Sequence, residues 1–308
     1  MINRELIRLK VVQLVYAYYR NDGKTIETAQ KELLFSLGKA YELYEYLLLL
    51  LVKVYELAGK KEEALRQRAQ KGAAVLDGSV EARLAANAML KQLAENKALL
   101  AYRENRKDWI EEEAFVKQLF TTFTESDIFK MYLDKEDFSY EADRELVRKL
   151  YKTYICHNED FDDLIEEHSL YWNDDKFVVD SFVLKTIKRF TAESTPDQPL
   201  LPDYASDDDR EFAIRLFQQS IISEEETRTI ISDGSKNWEL NRLAFMDLII
   251  MQIALTEVMT FPSIPVSVTF NEYLNIAKVY STPRSAGYIN GMLDHMVKWL
   301  RKQNKILK

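Results

Sequence analysis

Residues 238–294 read WELNRLAFMDLIIMQIALTEVMTFPSIPVSVTFNEYLNIAKVYSTPRSAGYINGMLD, and this stretch decides the fold. Leu243, Met246, Ile249, Ile250, Ile253, Ala254 and Leu255 recur at three-to-four spacing, which predicts a helix over 242–258 that is buried along most of its circumference. Pro262 and Pro265 follow. Neither donates an amide hydrogen, and both push their predecessors toward extended backbone, so the helix ends there and the chain turns. A second helix is expected from near Thr269 through NEYLNIAKVY, with Asn271 and Glu272 serving its start. It stops at STPRS, where Ser281, Thr282 and Ser285 are good caps and Pro283 suits a first turn. A third helix begins at about Ser285. Gly291 inside it costs about 1 kcal/mol against alanine, which suggests either a close approach of another backbone or a tolerated surface glycine.

Composition agrees with an all-α protein. The chain has 308 residues with only 8 Gly and 6 Pro, too few for a turn-rich β architecture and enough length for one to three domains. Residues 1–20 are charged throughout and show no signal-peptide pattern, and the apolar run 47–52 is too short to span a bilayer. A single cysteine, Cys156, excludes an intramolecular disulfide and fits a reducing compartment, so the expected location is cytoplasmic. The formal charge of −8 at pH 7 argues against a protein that coats nucleic acid indiscriminately. Both ends are nevertheless basic. Arg4, Arg8, Lys10 and Arg20 stand against Glu5 alone, and residues 297–308 carry five basic residues and no acid.

Along the chain, 3–20 reads as an amphipathic helix with Arg4 and Arg8 one turn apart, a pair suited either to a solvated face or to consecutive phosphates. Residues 25–58 form a long helix with a possible break at Gly38. Residues 60–109 are Ala-rich and charged, and look like a helical hairpin turning around Asp77-Gly78-Ser79, a solvent-facing arm. An internal repeat follows. Asp143-Arg144-Glu145 recurs as Asp209-Arg210-Glu211, Leu150 pairs with Leu216, Ile155 with Ile221, Leu164-Ile165 with Ile230-Ile231, and Trp172 with Trp238, each 66 residues apart. Each copy reads as a helix, a short polar connector, a second short helix, a tryptophan taken as a packing residue, and a long helix. The linker 191–206 between the copies contains three prolines and should be exposed. The expected division is therefore 1–58, an inserted arm 59–135, a first repeat 136–190, the linker 191–206 and a C-terminal unit 207–308.

No catalytic chemistry is legible. His157, His168 and His295 are far apart without metal-ligand spacing, Cys156 and His157 point about 100° apart on a helix, and the acidic run 159–167 lacks the glycine and periodicity of a calcium loop. There is no glycine-rich phosphate loop. The reading is a non-enzyme without a cofactor.

The order NRLA, Glu257, IPVSV, Asn271-Glu272, Ala277-Lys278, Ser285 and Ile289-Asn290-Gly291 followed by Leu293-Asp294 resembles the C-terminal half of the NusB family. The opening pattern Arg4, Arg8, Gln13, Tyr16 resembles that family's first helix, with Glu5 and Leu6 at two positions where the family has arginines and Gly287 where a lysine is common. The chain is roughly twice the family's usual length. The resemblance implies an all-α, NusB-like helical bundle, here with an inserted helical hairpin and a duplicated helical unit. It implies a factor that binds boxA-type single-stranded RNA together with NusE, a small-subunit ribosomal protein, in the antitermination complex of RNA polymerase during ribosomal RNA synthesis. The alternative is a helical protein–protein adaptor. NusB-like domains also precede ribosomal RNA cytosine methyltransferases, an activity that would need a cofactor domain absent from this sequence. By resemblance, the RNA-binding candidates are Arg4, Arg8, Lys10, Thr282, Arg284 and Tyr288, the last with core packing as its other reading. Tyr16 and Asp247 match positions that face NusE. A carboxylate at Asp247 on an apolar helix needs a partner, either a base from NusE or an arginine of this chain.

Overall fold

The computed structural model describes residues 1–21, 23–70, 79–105, 113–135, 138–172, 174–234 and 243–306. Among these residues there are fifteen α-helices and no strand, with one isolated bridge between Ile2 and Tyr204. The chain divides into two compact units. One comprises Ile2–Gly38 and Tyr204–Lys308, the other Met1 and Lys39–Asp203. The sequence boundary at Asp77-Gly78 and the repeat tryptophan Trp238 lie outside the described residues, as does the start of the 242–258 helix.

The first unit is built on α13 (Phe245–Thr260), whose residues Asp247 to Val258 are all buried. Around it pack α1 (Arg4–Arg20), α11 (Asp207–Ile222), α12 (Glu224–Gly234), α14 (Val266–Tyr280) and α15 (Ser285–Lys302). Asn3 caps α1 by accepting from the Leu6 amide at 2.9 Å. α14 starts at Val266, three residues before the position read from sequence, because Pro265 holds the extended entry that a helix start requires. Asn271 and Glu272 therefore sit inside the helix rather than at its start.

α2 (Ile26–Gln70) runs unbroken through Gly38. An added Cβ at Gly38 would meet nothing within 4 Å, so the glycine costs about 1 kcal/mol of propensity without kinking a helix that buries Leu33, Leu37, Ala40 and Leu43 on either side of it. The division between units falls at this residue.

In the second unit the Ala-rich segment is helical and its two limbs differ: residues 60–69 at the end of α2 are largely exposed, whereas the returning limb is held in the core. That limb is divided into α3 (Val80–Ala85), α4 (Ala88–Ala94) and α5 (Lys97–Asn105). Asn87 caps α4 through Leu90 N at 2.9 Å, and Asn96 accepts from Leu99 N at 3.1 Å. These turns place Leu84, Met89, Leu90, Leu93 and Leu99 in the core. α6 (Glu113–Glu125), α7 (Asp127–Leu133), α8 (Tyr140–Tyr154), α9 (Glu159–His168) and α10 (Lys176–Arg189) complete the unit. Trp172 packs as expected: its indole N–H donates to the Lys39 carbonyl at 2.9 Å, and its ring lies 5.1 Å from Tyr46.

The proline-containing 191–203 segment is exposed over most of its length and is fastened to its unit near its end. Leu200 and Leu201 are buried, the Tyr41 hydroxyl donates to the Leu201 carbonyl at 2.9 Å, and Asn96 donates to the Gln198 carbonyl at 2.7 Å. In two turns within it the Ser194 amide donates to the Thr191 carbonyl at 3.0 Å and the Gln198 amide to the Thr195 carbonyl at 2.9 Å, and further carbonyls are taken up by side chains of the same unit.

Candidate functional site

The basic residues of α1 divide sharply by environment. Arg8 is 3% exposed. Its Nε and Nη2 donate to the two Glu257 oxygens at 2.8 and 2.9 Å. Glu257, fully buried on α13, also accepts from the Thr269 hydroxyl at 2.7 Å and the Tyr273 hydroxyl at 3.0 Å, both on α14. Burial by itself would lower the Arg8 pKa, but pairing with Glu257 outweighs it and the guanidinium ends above its ordinary value. Tyr273 is pushed well up, by burial first and by Glu257 second. Every strong donor and acceptor in this cluster has a partner, as a buried ion pair requires. Lys10 is 2% exposed. The expectation that Arg8 and Lys10 face RNA is corrected by this burial, and Arg8 instead fastens α1 to α13 and α14. Glu272, 3.9 Å from Arg8, belongs to the same cluster.

Arg4 differs. Its side chain is 42% exposed, its Nε donates to Asp209 at 3.0 Å, and its guanidinium lies 4.9 Å from the centre of the Phe212 ring. Arg4 is thus held on α11 with its outer face open to water.

At the other end of the unit, residues 281–285 join α14 to α15. The Ser281 hydroxyl donates to Asp247, the Ser285 hydroxyl donates to the other Asp247 oxygen at 2.8 Å, and Thr282 Oγ1 lies 2.8 Å from Ser285 Oγ. Asp247 is 5% exposed. Its expected basic partner is replaced by two serine hydroxyls, which satisfy the buried carboxylate within the chain. The acid therefore shapes the loop rather than offering itself to a second protein. Thr282 and Arg284 are exposed on the outer side of that loop and Tyr288 is half-buried one turn on. Burial, with Asp247 nearby, raises the Tyr288 phenol pKa. Arg284 occupies the N-cap position without a side-chain cap, and Ser285 N donates to the Thr282 carbonyl at 2.9 Å, which leaves the Ala286 and Gly287 amides at the positive end of the helix.

α1 reaches this loop by its other face. Gln13 donates to the Tyr280 hydroxyl at 3.2 Å at the end of α14. Tyr16 packs on Phe245 at 5.3 Å, and Arg20 covers the Phe245 ring at 4.5 Å and the Tyr16 ring at 5.5 Å. Phe245 opens α13 two residues before Asp247. The fold therefore brings Tyr16, Asp247, Thr282, Arg284 and Tyr288 to one side of the unit. Arg4 is nine positions before Gln13, about half a turn round the helix, and belongs with α11. Sequence reading missed Arg20 and Phe245. The available signal was spacing, since Arg20 stands four residues after Tyr16 on the same helical face.

Gly291 makes no close approach: an added Cβ at either Gly287 or Gly291 would meet nothing within 4 Å, and both are exposed. Among the described residues no group of three or more His, Cys, Asp or Glu is arranged to hold a metal ion, and no helix is long and apolar enough to cross a membrane.

The NusB family model matches residues 177–298, from the start of α10 to late α15. The transcription antitermination protein NusB of Salinibacter ruber is 37% identical over 99 residues, covering 32% of this chain and 62% of the relative. That of Natranaerobius thermophilus is 43% identical over 72 residues, 23% of this chain and 52% of the relative. That of Dictyoglomus thermophilum is 37% identical over 87 residues, 28% and 60%. The chain thus spans between about half and three fifths of the length of these relatives. No solved structure matches the chain. The matched span contains α13, the 281–285 loop and most of α15, and α1 packs into the same unit from outside that span. Residues 177–298 of this chain are thus similar to the NusB family, and the chain to these three NusB proteins at 37–43% identity.

Proposed function

We propose that this protein is a cytoplasmic transcription antitermination factor that holds a boxA-type single-stranded RNA together with NusE within the RNA polymerase antitermination complex. The observation that carries the reading is the exposed 281–285 loop at the uncapped start of α15, lying inside the span that matches the NusB family. Arg284 and the Ala286 and Gly287 amides take a phosphate, Thr282, whose hydroxyl is engaged with Ser285, lines the loop beside them, and the half-exposed Tyr288 ring stacks on an unpaired base. The aromatic and cationic face of Tyr16, Phe245 and Arg20 beside it receives NusE. Arg4 adds a cation at the opposite side of α1. A net charge of −8 keeps RNA off the rest of the surface.

A second reading, a helical adaptor that binds protein and leaves RNA to its partner, is favoured by one observation: Arg8 and Lys10, half of the basic residues of α1, are buried. Titration of a boxA-containing RNA and a scrambled control, with and without the cognate NusE, separates the two. The first reading expects preferential binding that strengthens with NusE and weakens with salt, by a slope of roughly −0.7 per phosphate contact. Binding of NusE with no effect of this chain on RNA affinity would pass the role to the adaptor reading.

A further inference from the structure

Past Tyr288, α15 continues along the same face. Arg284, Tyr288, His295, Lys298, Trp299 and Lys302 fall within about 100° of one another round the helix axis. Arg284, His295, Lys298 and Lys302 are exposed, and the Tyr288 and Trp299 rings are half-buried. Two exposed glycines, Gly287 and Gly291, add no side chain to the Tyr288 end of this surface. The half-buried Trp299 borders a cavity of about 240 Å³ between α12 and α15, lined also by Ile230, Asp233, Gly234, His295 and Met296. That is smaller than the roughly 300–1,000 Å³ of sites that enclose drug-sized ligands, and it suits one planar ring system.

The chemistry around the cavity is not that of a simple core defect. Its floor is apolar, from Ile230 and Met296, both buried. Its rim is polar and exposed, from Asp233 and His295. Lys305, ion-paired to Glu226 at 2.6 Å, stands 5.9 Å from the Trp299 ring centre, and Lys302 is one turn beyond Trp299. An aromatic wall with hydrogen-bonding groups at the edge and cations alongside is the composition that single-stranded nucleic acid selects: bases stack on rings while cations follow the phosphates.

We propose that this cavity is a second base-binding subsite, with Trp299 as stacking platform, on a track that runs along α15 from Tyr288. This inference rests on the RNA-binding reading above and extends it to a stretch of RNA beyond the loop. Tyr288 and Trp299 are eleven residues apart, about 16 Å along the axis, so the second base comes from nucleotides flanking the one at Tyr288. The Asp233 carboxylate accepts hydrogen bonds only. It favours a base edge with an amino group, so adenine, cytosine or guanine is preferred to uracil, whose single N3–H lies between two carbonyl oxygens that repel a carboxylate.

The test compares two RNAs on the full chain with NusE: a minimal boxA-type oligonucleotide, and the same sequence extended by a few nucleotides at either end. For the extended RNA, Trp299→Ala is expected to reduce affinity about 5- to 150-fold, the range for loss of one base–aromatic stack, and Trp299→Phe to retain most of it. The minimal RNA should bind all three proteins alike. Asp233→Asn should narrow the preference against a uracil-substituted extension. If Trp299→Ala disturbs the helical circular dichroism, His295→Ala and Asp233→Ala on the exposed rim carry the same comparison. Equal binding of extended RNA by wild type and these variants, with the minimal RNA still bound, overturns the subsite alone. No binding of either RNA overturns the RNA-binding reading and this subsite with it.

Discussion

The two copies of the 66-residue repeat build the same order of helices and place their buried charges differently. In the first copy, α8, α9 and α10 surround a local cluster. Lys176 donates to Asp180 one turn away at 3.0 Å and to the carbonyls of Ile155 and Cys156, and Tyr151 donates to Asp180 at 2.6 Å. In the second copy, α11, α12 and α13, the residue 66 positions after Tyr151 is Phe217, which has no hydroxyl, and that after Asp180 is Met246. The buried acid has moved to Glu257, and its cation comes from Arg8, 249 residues away in sequence. The repeated aspartates show the same change. Asp143 accepts from the Tyr132 hydroxyl at 2.5 Å and the Ala88 amide at 2.6 Å, whereas Asp209 accepts from Arg4. The first copy satisfies Asp180 from its own helices and Asp143 from neutral donors on α7 and at the start of α4, with no cation from α1. In the second copy Asp247 takes only the hydroxyls of Ser281 and Ser285, whereas Glu257 and Asp209 each take a cation. Both cations come from α1, which is therefore bound into the C-terminal unit by charge as well as by apolar packing.

This contrast can be broken in order of expected effect. Glu257→Ala leaves the Arg8 guanidinium buried without its carboxylate and should cost about 3–5 kcal/mol of stability in denaturant unfolding. The double variant Arg8→Met/Glu257→Leu, which removes both charges, should recover most of that loss. Recovery no better than the single variant would show that the pair is not the fastening between α1 and α13. Asp180→Ala should cost less, about 1–3 kcal/mol, because Lys176 keeps two backbone carbonyls and has Asp162 at 3.2 Å. Equal losses at the two sites would erase the distinction between local and long-range pairing.

The smallest effect belongs to Glu45 on α2, whose burial pushes its carboxyl up to about 7. A carboxyl whose folded pKa is raised holds its proton more tightly in the folded state, so its penalty is absent below about pH 4.5 and grows as pH rises to 7. Allowing for its partial exposure, Glu45→Gln should stabilise the protein by about 1–2 kcal/mol at pH 8 and leave pH 4 unchanged. Thermal melts at the two pH values read this directly, and an equal effect at both would contradict the assignment.

Much of the C-terminal fold was legible because its signals are local. The apolar period of α13, the proline pair after it and the serine-rich stop before α15 each act within a few residues. The errors arose where the deciding partner is remote. Arg8 and Arg4 form an i, i+4 pair, and nothing in that spacing reveals Glu257. The flanking Leu6-Ile7, Leu9 and Val11-Val12 were the available clue that the helix is buried on more than one side. Asp247 was read as seeking a base because two serines 34 and 38 residues later can be placed only by the fold. The returning limb of the Ala-rich segment looked solvated because its charges are dense, while Asn87 and Asn96, the two residues that divide it, read as ordinary helix positions. The candidate loop was found through Thr282, Arg284 and Tyr288, whereas the Trp299 cavity depends on α12 and α15 meeting.

On the proposed reading the C-terminal loop, and not the buried arginine of α1, makes the contact with RNA. The most direct test of that reading is the salt-dependent affinity of Arg284→Glu and of Arg8→Met/Glu257→Leu for a boxA-type RNA in the presence of NusE. Arg284→Glu is expected to lose roughly tenfold or more in affinity and about one phosphate contact's worth of salt slope, while the double variant binds within about twofold of wild type. Loss in the double variant with Arg284→Glu unchanged would contradict that reading.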